Sequence, residues 1–493
     1  RAGDDAWMEE VKRKISSGKA FGTRASFIGP EEVKEKFPLV EQEMVAGALW
    51  DPDAGLVIPR SQTVAGKLVD AAEKTGKLKV FANTPAQSLI VEGGRIKGVV
   101  THRGTIMADH VVVCAGIWGR QIAEMVGEDL PVMPVDHPLT FFGPYKEFEG
   151  TGKDIGWPLM RDQGNSAYMR DTGDPTTAEG GQIEWGYYET DEPRLCHPRD
   201  ILEKNEARLS PSQRDLDMEQ IIEPLERAME LTPILGELGY NESHSFNGLL
   251  QVSAAGGASC GESQKVRGLW YCVAIWVKDG PGYGKLIADW MTDGRTEIDH
   301  NSIDYARFYP HQMTEEFIEN RCYEAAQKIY FPAIHPREPY AKSRGVKRSP
   351  FYEREVELGG HFMELGGWER AHGYASNEHL LEKFGSQVPA RENEWDNRHF
   401  WRVSNAEHLQ LSEDCGIINL SHFHMVDIEG PDHVAMMEWL CAAKIGGDNM
   451  IGKGIYTHFL DDEGMVRADF TVIRMADRCR LINGADAGPR DFH

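Results

Sequence analysis

A strand, a run of glycines and a helix follow one another between residues 268 and 294, and this succession constrains the fold more than any other part of the chain. The pattern predicts a strand over residues 269–274, a turn over 280–284 and a helix over 285–291. Unpaired amides at a helix N-terminus can hold a phosphate or a flavin carbonyl. A helix entered through glycines for close packing would give the same pattern, so both interpretations stay open.

Two common nucleotide-binding motifs are excluded. Lys285 is followed by Leu286 rather than by Ser or Thr, so the glycine turn is not a Walker A loop. The G-x-G-x-x-G motif that opens a dinucleotide-binding fold after its first strand is absent from the chain. Any nucleotide site must therefore use the glycine turn in another way.

The rest of the pattern predicts several domains of α/β and α+β type. Helical spacing occurs over residues 63–74, a hairpin with a Gly-Gly turn over 91–100, and a buried strand that ends in glycine over 110–116. Antiparallel strands are predicted from about residue 131 to 247, interrupted by a helix over 217–232. The composition changes again after a loop rich in Pro and Arg near residue 340.

Charge and cysteine content restrict the class of protein. Among 493 residues there are 78 Asp and Glu against 53 Lys and Arg, a formal charge of −25, and we find no basic cluster. Nucleic acids and anionic membrane surfaces are therefore not expected as partners. Eight cysteines without a C-x-x-C pair predict a reducing compartment and no metal site. No apolar run is long enough for a membrane span.

Eight short segments, taken in order, resemble one family of flavoenzymes, the dimethylglycine and sarcosine dehydrogenases and oxidases. The segments are residues 48–59, 108–119, 273–284, 348–351, 357–360, 366–370, 429–431 and 464–472. The most specific are those between 348 and 370, which include Gly-Gly-Trp-Glu-Arg. The resemblance extends over essentially all 493 residues.

The resemblance implies four domains and two cofactors, FAD and tetrahydrofolate. A DAO-like FAD domain would comprise residues 1–130 and 248–298, an antiparallel substrate sheet 131–247, a linker domain 299–372, and part of an aminomethyltransferase (T-protein-like) domain 373–493. We expect the first βαβ unit with its ADP loop, and the rest of the folate domain, to lie outside this chain. On that expectation the 493 residues alone would not retain FAD.

The implied reaction is oxidative demethylation of a small N-methylated amino acid. Hydride passes from the N-methyl group to the flavin, and the one-carbon unit goes to tetrahydrofolate or leaves as formaldehyde. Oxygen or an electron-transfer protein would reoxidise the flavin. The implied location is the bacterial cytoplasm or, in a eukaryote, the mitochondrial matrix.

The resemblance also implies site residues. His137 and Tyr168 match the catalytic positions of the flavin half, and Asp469 matches that of the folate half, with Tyr456 as a pocket neighbour. Without the resemblance, His137 would be interpreted as a surface-loop histidine, Tyr168 as a core tyrosine and Asp469 as a turn or cap residue. The implied cofactor-binding residues are Ala115, Gly116, Trp118, Trp276, Val277, Gly280, Gly282 and Gly284.

Three departures from the family pattern support an alternative function. His137 is followed by Pro138 and Leu139 where the family commonly has Gln-Tyr, and residues 253–256 lack the usual acidic residue. Asn419 replaces the aspartate of an Asp-x-Ser motif in the folate half. The alternative is a catalytically silent relative that resembles the regulatory subunit of pyruvate dehydrogenase phosphatase.

Overall fold

A computed structural model describes most of the chain. The described residues are 4–57, 61–151, 155–173, 175–176, 180–201, 210–329, 340–390, 401–485 and 488–491. Within them, no helix combines the length and the apolar character needed to cross a membrane.

In its described residues, the first part of the chain contains four α-helices and six strands. In chain order they are α1 (Asp4–Ala20), β1 (Ser26–Ile28), α2 (Pro30–Lys36), β2 (Ala48–Trp50), α3 (Ser61–Glu73), β3 (Ala86–Glu92), β4 (Arg95–Thr101), β5 (Gly104–Met107), β6 (Val111–Val113) and α4 (Gly119–Glu124). Strands β3, β4 and β5 form an antiparallel meander, and Gly93 and Gly94 make the predicted turn with positive φ angles.

A six-stranded antiparallel sheet follows. Its elements are β7 (Val132–Phe142), β8 (Met160–Asp162), β9 (Ala167–Asp171), β10 (Ile183–Tyr187), β11 (Gln213–Arg214), α5 (Met218–Leu231) and β12 (Phe246–Ser253). The strand order is β11-β12-β7-β10-β9-β8. Asp217 caps α5 by accepting a hydrogen bond from the Glu219 amide, as Asp does at helix starts. The predicted antiparallel region and its helix are confirmed.

The chain then returns to strand β6 of the first part. Strands β13 (Ser259–Glu262) and β14 (Leu269–Val273) are followed by helix α6 (Gly280–Asp293). Strand β14 lies between β13 and β6 and pairs with β6 in parallel. This parallel pair brings the residues after β6 next to the residues after β14, since the carboxyl ends of parallel strands share one edge.

The helix start differs from the sequence prediction. Gly280, Gly282 and Gly284 were predicted to form a turn ahead of a helix, but they belong to the first turns of α6 itself. Pro281 explains the difference, because its missing N–H lies where a helix has no partner for that group and its fixed φ suits helix entry. The pattern of glycines cannot separate a turn from a first helical turn of this kind.

The remaining elements form a helical connector, a hairpin and a four-stranded sheet. They are α7 (Glu315–Lys328), α8 (Tyr352–Glu357), β15 (Gly360–Leu365), β16 (Trp368–Tyr374), α9 (Leu380–Phe384), α10 (Trp401–Glu413), β17 (His424–Glu429), α11 (His433–Leu440), β18 (Gly454–Leu460), β19 (Val466–Arg474), β20 (Arg478–Asn483) and α12 (Gly488–Asp491). The four-stranded antiparallel sheet has the order β17-β20-β19-β18.

This four-stranded sheet contacts the end of α6. Arg467 on β19 donates to the carbonyl of Gly294, which ends α6, at 2.6 Å. Arg295 donates to the carboxylate of Glu463 in the turn between β18 and β19, also at 2.6 Å. These two contacts attach the hairpin β18–β19 to the helix that begins with the glycines.

A buried arginine joins helix α4 to the loop before β7 and to the start of α7. Arg120 on α4 has no exposed side-chain surface and donates to both carboxylate oxygens of Asp129 at 2.7 Å. It also donates to Glu315 at the start of α7, at 2.6 Å. Burial alone would destabilise the cation, so the two carboxylates are what keep it charged in the core.

We predict that Asp129→Asn lowers the free energy of unfolding by about 3 kcal/mol, because it leaves a buried guanidinium short of one carboxylate. Asp427 offers a matched control, since it binds Arg480 in the same two-bond geometry, at 2.7 and 2.8 Å, on the surface. Asp427→Asn should cost much less, because water solvates both partners of this surface pair. Urea titrations of both variants measure the difference, and equal losses would contradict a role for burial.

Candidate functional site

His137 lies in the middle of β7 and is buried, with 8% of its surface exposed. Its backbone N–H donates to the side-chain carbonyl of Asn247 on the neighbouring strand β12, at 3.0 Å. The Asn247 amide in turn donates to Asp136, which also accepts from Arg214. The interpretation of His137 as a surface-loop residue is therefore wrong.

Tyr168 lies on β9 and meets His137. Its hydroxyl oxygen is 2.9 Å from Nε2 of His137, and either group can donate the shared proton, depending on the imidazole tautomer. Burial lowers the pKa of His137 to about 4, and the positive charge of Arg161 acts in the same direction. The imidazole is therefore neutral at pH 7, hydrogen-bonded to a phenol.

Two further residues complete this cluster. The Tyr188 ring, just after β10, stacks on the His137 ring with centroids 4.3 Å apart. The guanidinium of Arg161 on β8 lies 5.9 Å from the centroid of the Tyr168 ring and 5.7 Å from that of Tyr188. Arg161 itself is exposed.

A cavity of about 260 Å³ opens beside the cluster. Trp276 lines it and stacks on Tyr188, with ring centroids 6.4 Å apart and planes 7° apart. The other lining residues are Gln251, Val252, Ser253, Gly256, Gly257, Ala258, Ala274, Lys278, Asp279, Tyr283, Ala325 and Ile329. Five of these are glycine or alanine.

Gln251 holds the cavity walls together. Its side-chain amide donates to the carbonyl of Gly116 at 2.7 Å, and its side-chain carbonyl accepts from the backbone N–H of Ala274 at 2.7 Å. Its backbone carbonyl accepts from the indole N–H of Trp276 at 3.0 Å. One buried glutamine on β12 thus bonds to both segments that were predicted to contact the cofactor.

The predicted cofactor-binding residues occupy different places. Ala115 is half-buried and Gly116 is exposed where the chain leaves β6, and Trp118 is half-buried two residues on. Val277 is 70% exposed. A Cβ atom added at Gly280, Gly282 or Gly284 would meet nothing within 4 Å, so the first turns of α6 present bare backbone to open space.

In the folate half, the structure brings the two predicted residues together. Asp469 on β19 accepts a hydrogen bond from the hydroxyl of Tyr456 on β18, at 3.0 Å, and this bond raises the pKa of the phenol. Tyr456 is 62% exposed. Asn419 lies elsewhere, where its amide donates to Ser349 and to Glu355 at 2.9 and 3.0 Å.

No sequence motif marks Gln251, Tyr188 or Arg161 as site residues. Gln251 carries no local signal, because its value comes from contacts with residues 135 and 23 positions away. Tyr188 stood within a predicted strand as one of several aromatic residues. Arg161 pairs with Tyr168 in the β8–β9 register, which the sequence does not fix.

We predict that His137 makes stability depend on pH. The unfolded imidazole takes up a proton below pH 6.5 and the folded one only near pH 4, so this contribution is complete above 6.5 and is lost as the pH falls towards 4. Between pH 7 and 5 the loss amounts to about 2 kcal/mol. Urea unfolding at both pH values should show it in the wild type and not in His137→Gln. An unchanged pH dependence in the variant would refute the prediction.

Comparison with curated proteins gives relatives along nearly the whole chain. A 4-methylaminobutanoate oxidase (formaldehyde-forming) from Paenarthrobacter nicotinovorans is 26% identical over 459 residues, 92% of this chain and 51% of that protein. Mitochondrial dimethylglycine dehydrogenase from Rattus norvegicus is also 26% identical, over 94% of the chain and 51% of its own length. The mitochondrial pyruvate dehydrogenase phosphatase regulatory subunit of Mus musculus is 24% identical, over 95% of this chain and 51% of that protein. The chain thus spans about half the length of these relatives.

Among solved structures, L-proline dehydrogenase from P.horikoshii is similar, with a TM-score of 0.49 and 21% identity. That match covers 63% of this chain and 74% of the other.

Family models match three successive parts of the chain. They describe an FAD dependent oxidoreductase at residues 2–290, an FAD dependent oxidoreductase central domain at 293–349, and a GCVT N-terminal domain at 351–492. This order confirms the predicted resemblance and the multidomain DAO-like fold class. The first match alone covers more than half of the 493 residues. The chain belongs to the FAD dependent oxidoreductase family, and its oxidoreductase domain is followed by a central domain and a GCVT N-terminal domain.

Proposed function

We propose that this protein oxidises a small N-methylated amino acid at its methyl carbon and passes the one-carbon unit to tetrahydrofolate or releases it as formaldehyde. The observation that carries the proposal is the neutral His137 bonded to Tyr168 beside the cavity of Trp276. The names of the relatives, which include a methylaminobutanoate oxidase and a dimethylglycine dehydrogenase, support the same class of reaction.

The cavity residues fit a flavin. A flat polar ring suits walls made of Trp276, Gly257 and Ala258, and the bare first turns of α6 suit a group that accepts hydrogen bonds from backbone amides. When bound, FAD supplies an acceptor for the hydride. Gln251 would keep the segments after β6 and β14 in register around it.

His137 and Tyr168 would select the neutral form of the amine. Hydride loss requires a free lone pair on nitrogen, and a protonated amine has none. The His137 imidazole and the Tyr168 hydroxyl share one proton, so the pair can accept a hydrogen bond from an ammonium or donate one to a neutral amine. A site with little water destabilises the cation relative to the neutral amine. The stacked Tyr188 ring limits water on one face of the imidazole.

Arg161 would bind the carboxylate of the amino acid. Its guanidinium lies at the exposed side of the cluster, close to both tyrosine rings. An arginine beside a site that takes a small amino acid offers a planar pair of donors for the carboxylate. The methyl group would then extend from this exposed side towards the cavity of Trp276.

Asp469 would assist the second half of the reaction. A carboxylate can stabilise positive charge on an iminium or accept a proton during attack by a folate nitrogen. The hydrogen bond from Tyr456 fixes the orientation of that carboxylate. We propose tetrahydrofolate as the acceptor because residues 351–492 match a GCVT N-terminal domain.

A catalytically silent regulatory protein is the second candidate. Its support is the similarity to the phosphatase regulatory subunit and the altered position Asn419, whose amide is occupied by Ser349 and Glu355. The retained pair of His137 and Tyr168 favours the enzyme. Full-length protein that carries FAD but is not bleached by dimethylglycine, sarcosine or 4-methylaminobutanoate would favour the regulatory protein.

We predict that Tyr168→Phe slows anaerobic flavin reduction by about 100-fold, because the imidazole alone cannot hold the shared proton at the amine. His137→Ala should have an effect of similar size. Tyr456→Phe is the matched control, since it removes the same kind of hydroxyl from the folate half and should leave the rate unchanged.

Asp469→Ala should also leave flavin reduction intact and increase the yield of free formaldehyde. Stopped-flow absorbance and a formaldehyde assay measure the two quantities; equal rates in all variants would contradict this division.

We predict that Arg161→Met lowers kcat/KM for dimethylglycine by about 30-fold, the cost of one charge-assisted pair. Dimethylaminoethanol, an amine of similar size without a carboxylate, should react equally poorly with both proteins. If the variant loses activity towards both amines to the same extent, Arg161 does not recognise the carboxylate.

A further inference from the structure

The bond between His137 and Tyr168 crosses an intervening strand. His137 is on β7 and Tyr168 on β9, and β10 lies between them. Neighbouring strands are about 4.8 Å apart, so the tyrosine side chain must reach over the backbone of β10 to meet an imidazole two strands away. A cross-strand pair ordinarily joins adjacent strands only.

Gly186 is the residue of β10 that lies under the tyrosine ring. It pairs with Tyr168 on one side and with Leu139 on the other, two positions from His137. A Cβ atom at this position would be 2.5 Å from Cε1 of Tyr168 and closer still to Cζ and the hydroxyl oxygen. Ordinary contacts of a Cβ begin near 3.4 Å. Any side chain at 186 would occupy the space of the ring.

Backbone conformation does not explain the glycine. Gly186 is not among the residues with positive φ and sits in regular antiparallel pairing on both sides. Its chain neighbours Trp185 and Tyr187 are both large and buried. The requirement for a small residue at 186 is therefore steric, and its source is the Tyr168 ring.

We propose that Gly186 is a positioning residue that gives Tyr168 its path across β10 to His137. A Cβ atom here would push the ring away by about 1 Å, and a displacement of that size away from His137 lengthens the 2.9 Å bond beyond hydrogen-bond range. Tyr188 and Arg161 flank the ring, at 5.8 and 5.9 Å from its centroid. The part that concerns rate rests on the proposed function; the part that concerns the ring position does not.

The test compares Gly186→Ala with Gly454→Ala in full-length, FAD-loaded protein. Gly454 is also a strand glycine, but a Cβ there would meet only Thr471, at 3.7 Å. A crystal structure of Gly186→Ala should place the Tyr168 hydroxyl more than 3.5 Å from His137 Nε2. A distance that stays near 2.9 Å would overturn the proposal, whatever the activity.

Flavin reduction gives the second measurement. Gly186→Ala should slow it about 100-fold, as Tyr168→Phe does, and Gly454→Ala should not. The double variant Gly186→Ala/Tyr168→Phe should be within about threefold of either single variant, because both remove the same hydrogen bond. Multiplied effects would indicate general damage and overturn the proposal. A displaced ring with an unchanged rate would support the steric role and refute the proposed role of the pair in catalysis.

A rescue experiment covers the case in which Gly186→Ala does not fold. Tyr168→Ala removes the ring with which the new methyl group would collide. The double variant Gly186→Ala/Tyr168→Ala should then fold as stably as Tyr168→Ala alone. Failure of this rescue would show that residue 186 is constrained by something other than Tyr168.

Discussion

The pairing of β7 with β12 is the constraint on which the position of His137 and the walls of the neighbouring cavity depend. The register runs unbroken from Val132 opposite Ser253 to Leu139 opposite Phe246. Because side chains alternate along both strands, this one register fixes His137 against Asn247 and places Gln251 within reach of Gly116 and Ala274. A shift of β12 by one residue would turn Gln251 to the opposite face of the sheet while His137 stayed where it is.

The site is built from contacts that cross between strands, and each contact needs a different kind of neighbour. Asn247 fixes the backbone at His137, Tyr188 covers one face of the imidazole, and the absence of a side chain at Gly186 opens the way for Tyr168. Polar bonding, stacking and empty space thus act together on one imidazole. The result is a titratable group that stays neutral because its surroundings are dry.

The sequence predicts the elements better than their arrangement. The hairpin around Gly93, helix α5 and the antiparallel region follow from periodicity and capping, which are local properties. The resemblance supplied His137, Tyr168 and Asp469 as site residues. That His137 and Tyr168 meet across β10 could not be predicted, because the strand order β7-β10-β9 is set by packing of distant segments. The role of Gln251 was invisible for the same reason, and the start of α6 was misplaced because Pro281 continues into a helix as readily as it makes a turn.

Helix α6 runs between the cavity of Trp276 and the hairpin that carries Asp469. Its first residues adjoin the cavity of Trp276. Gly294 and Arg295, directly after its last residue, are hydrogen-bonded to the hairpin that carries Asp469. Fourteen residues of α-helix make a rod about 21 Å long. The cavity and the hairpin are therefore held apart by the length of this helix, and any group that passes from one to the other has to cross that distance.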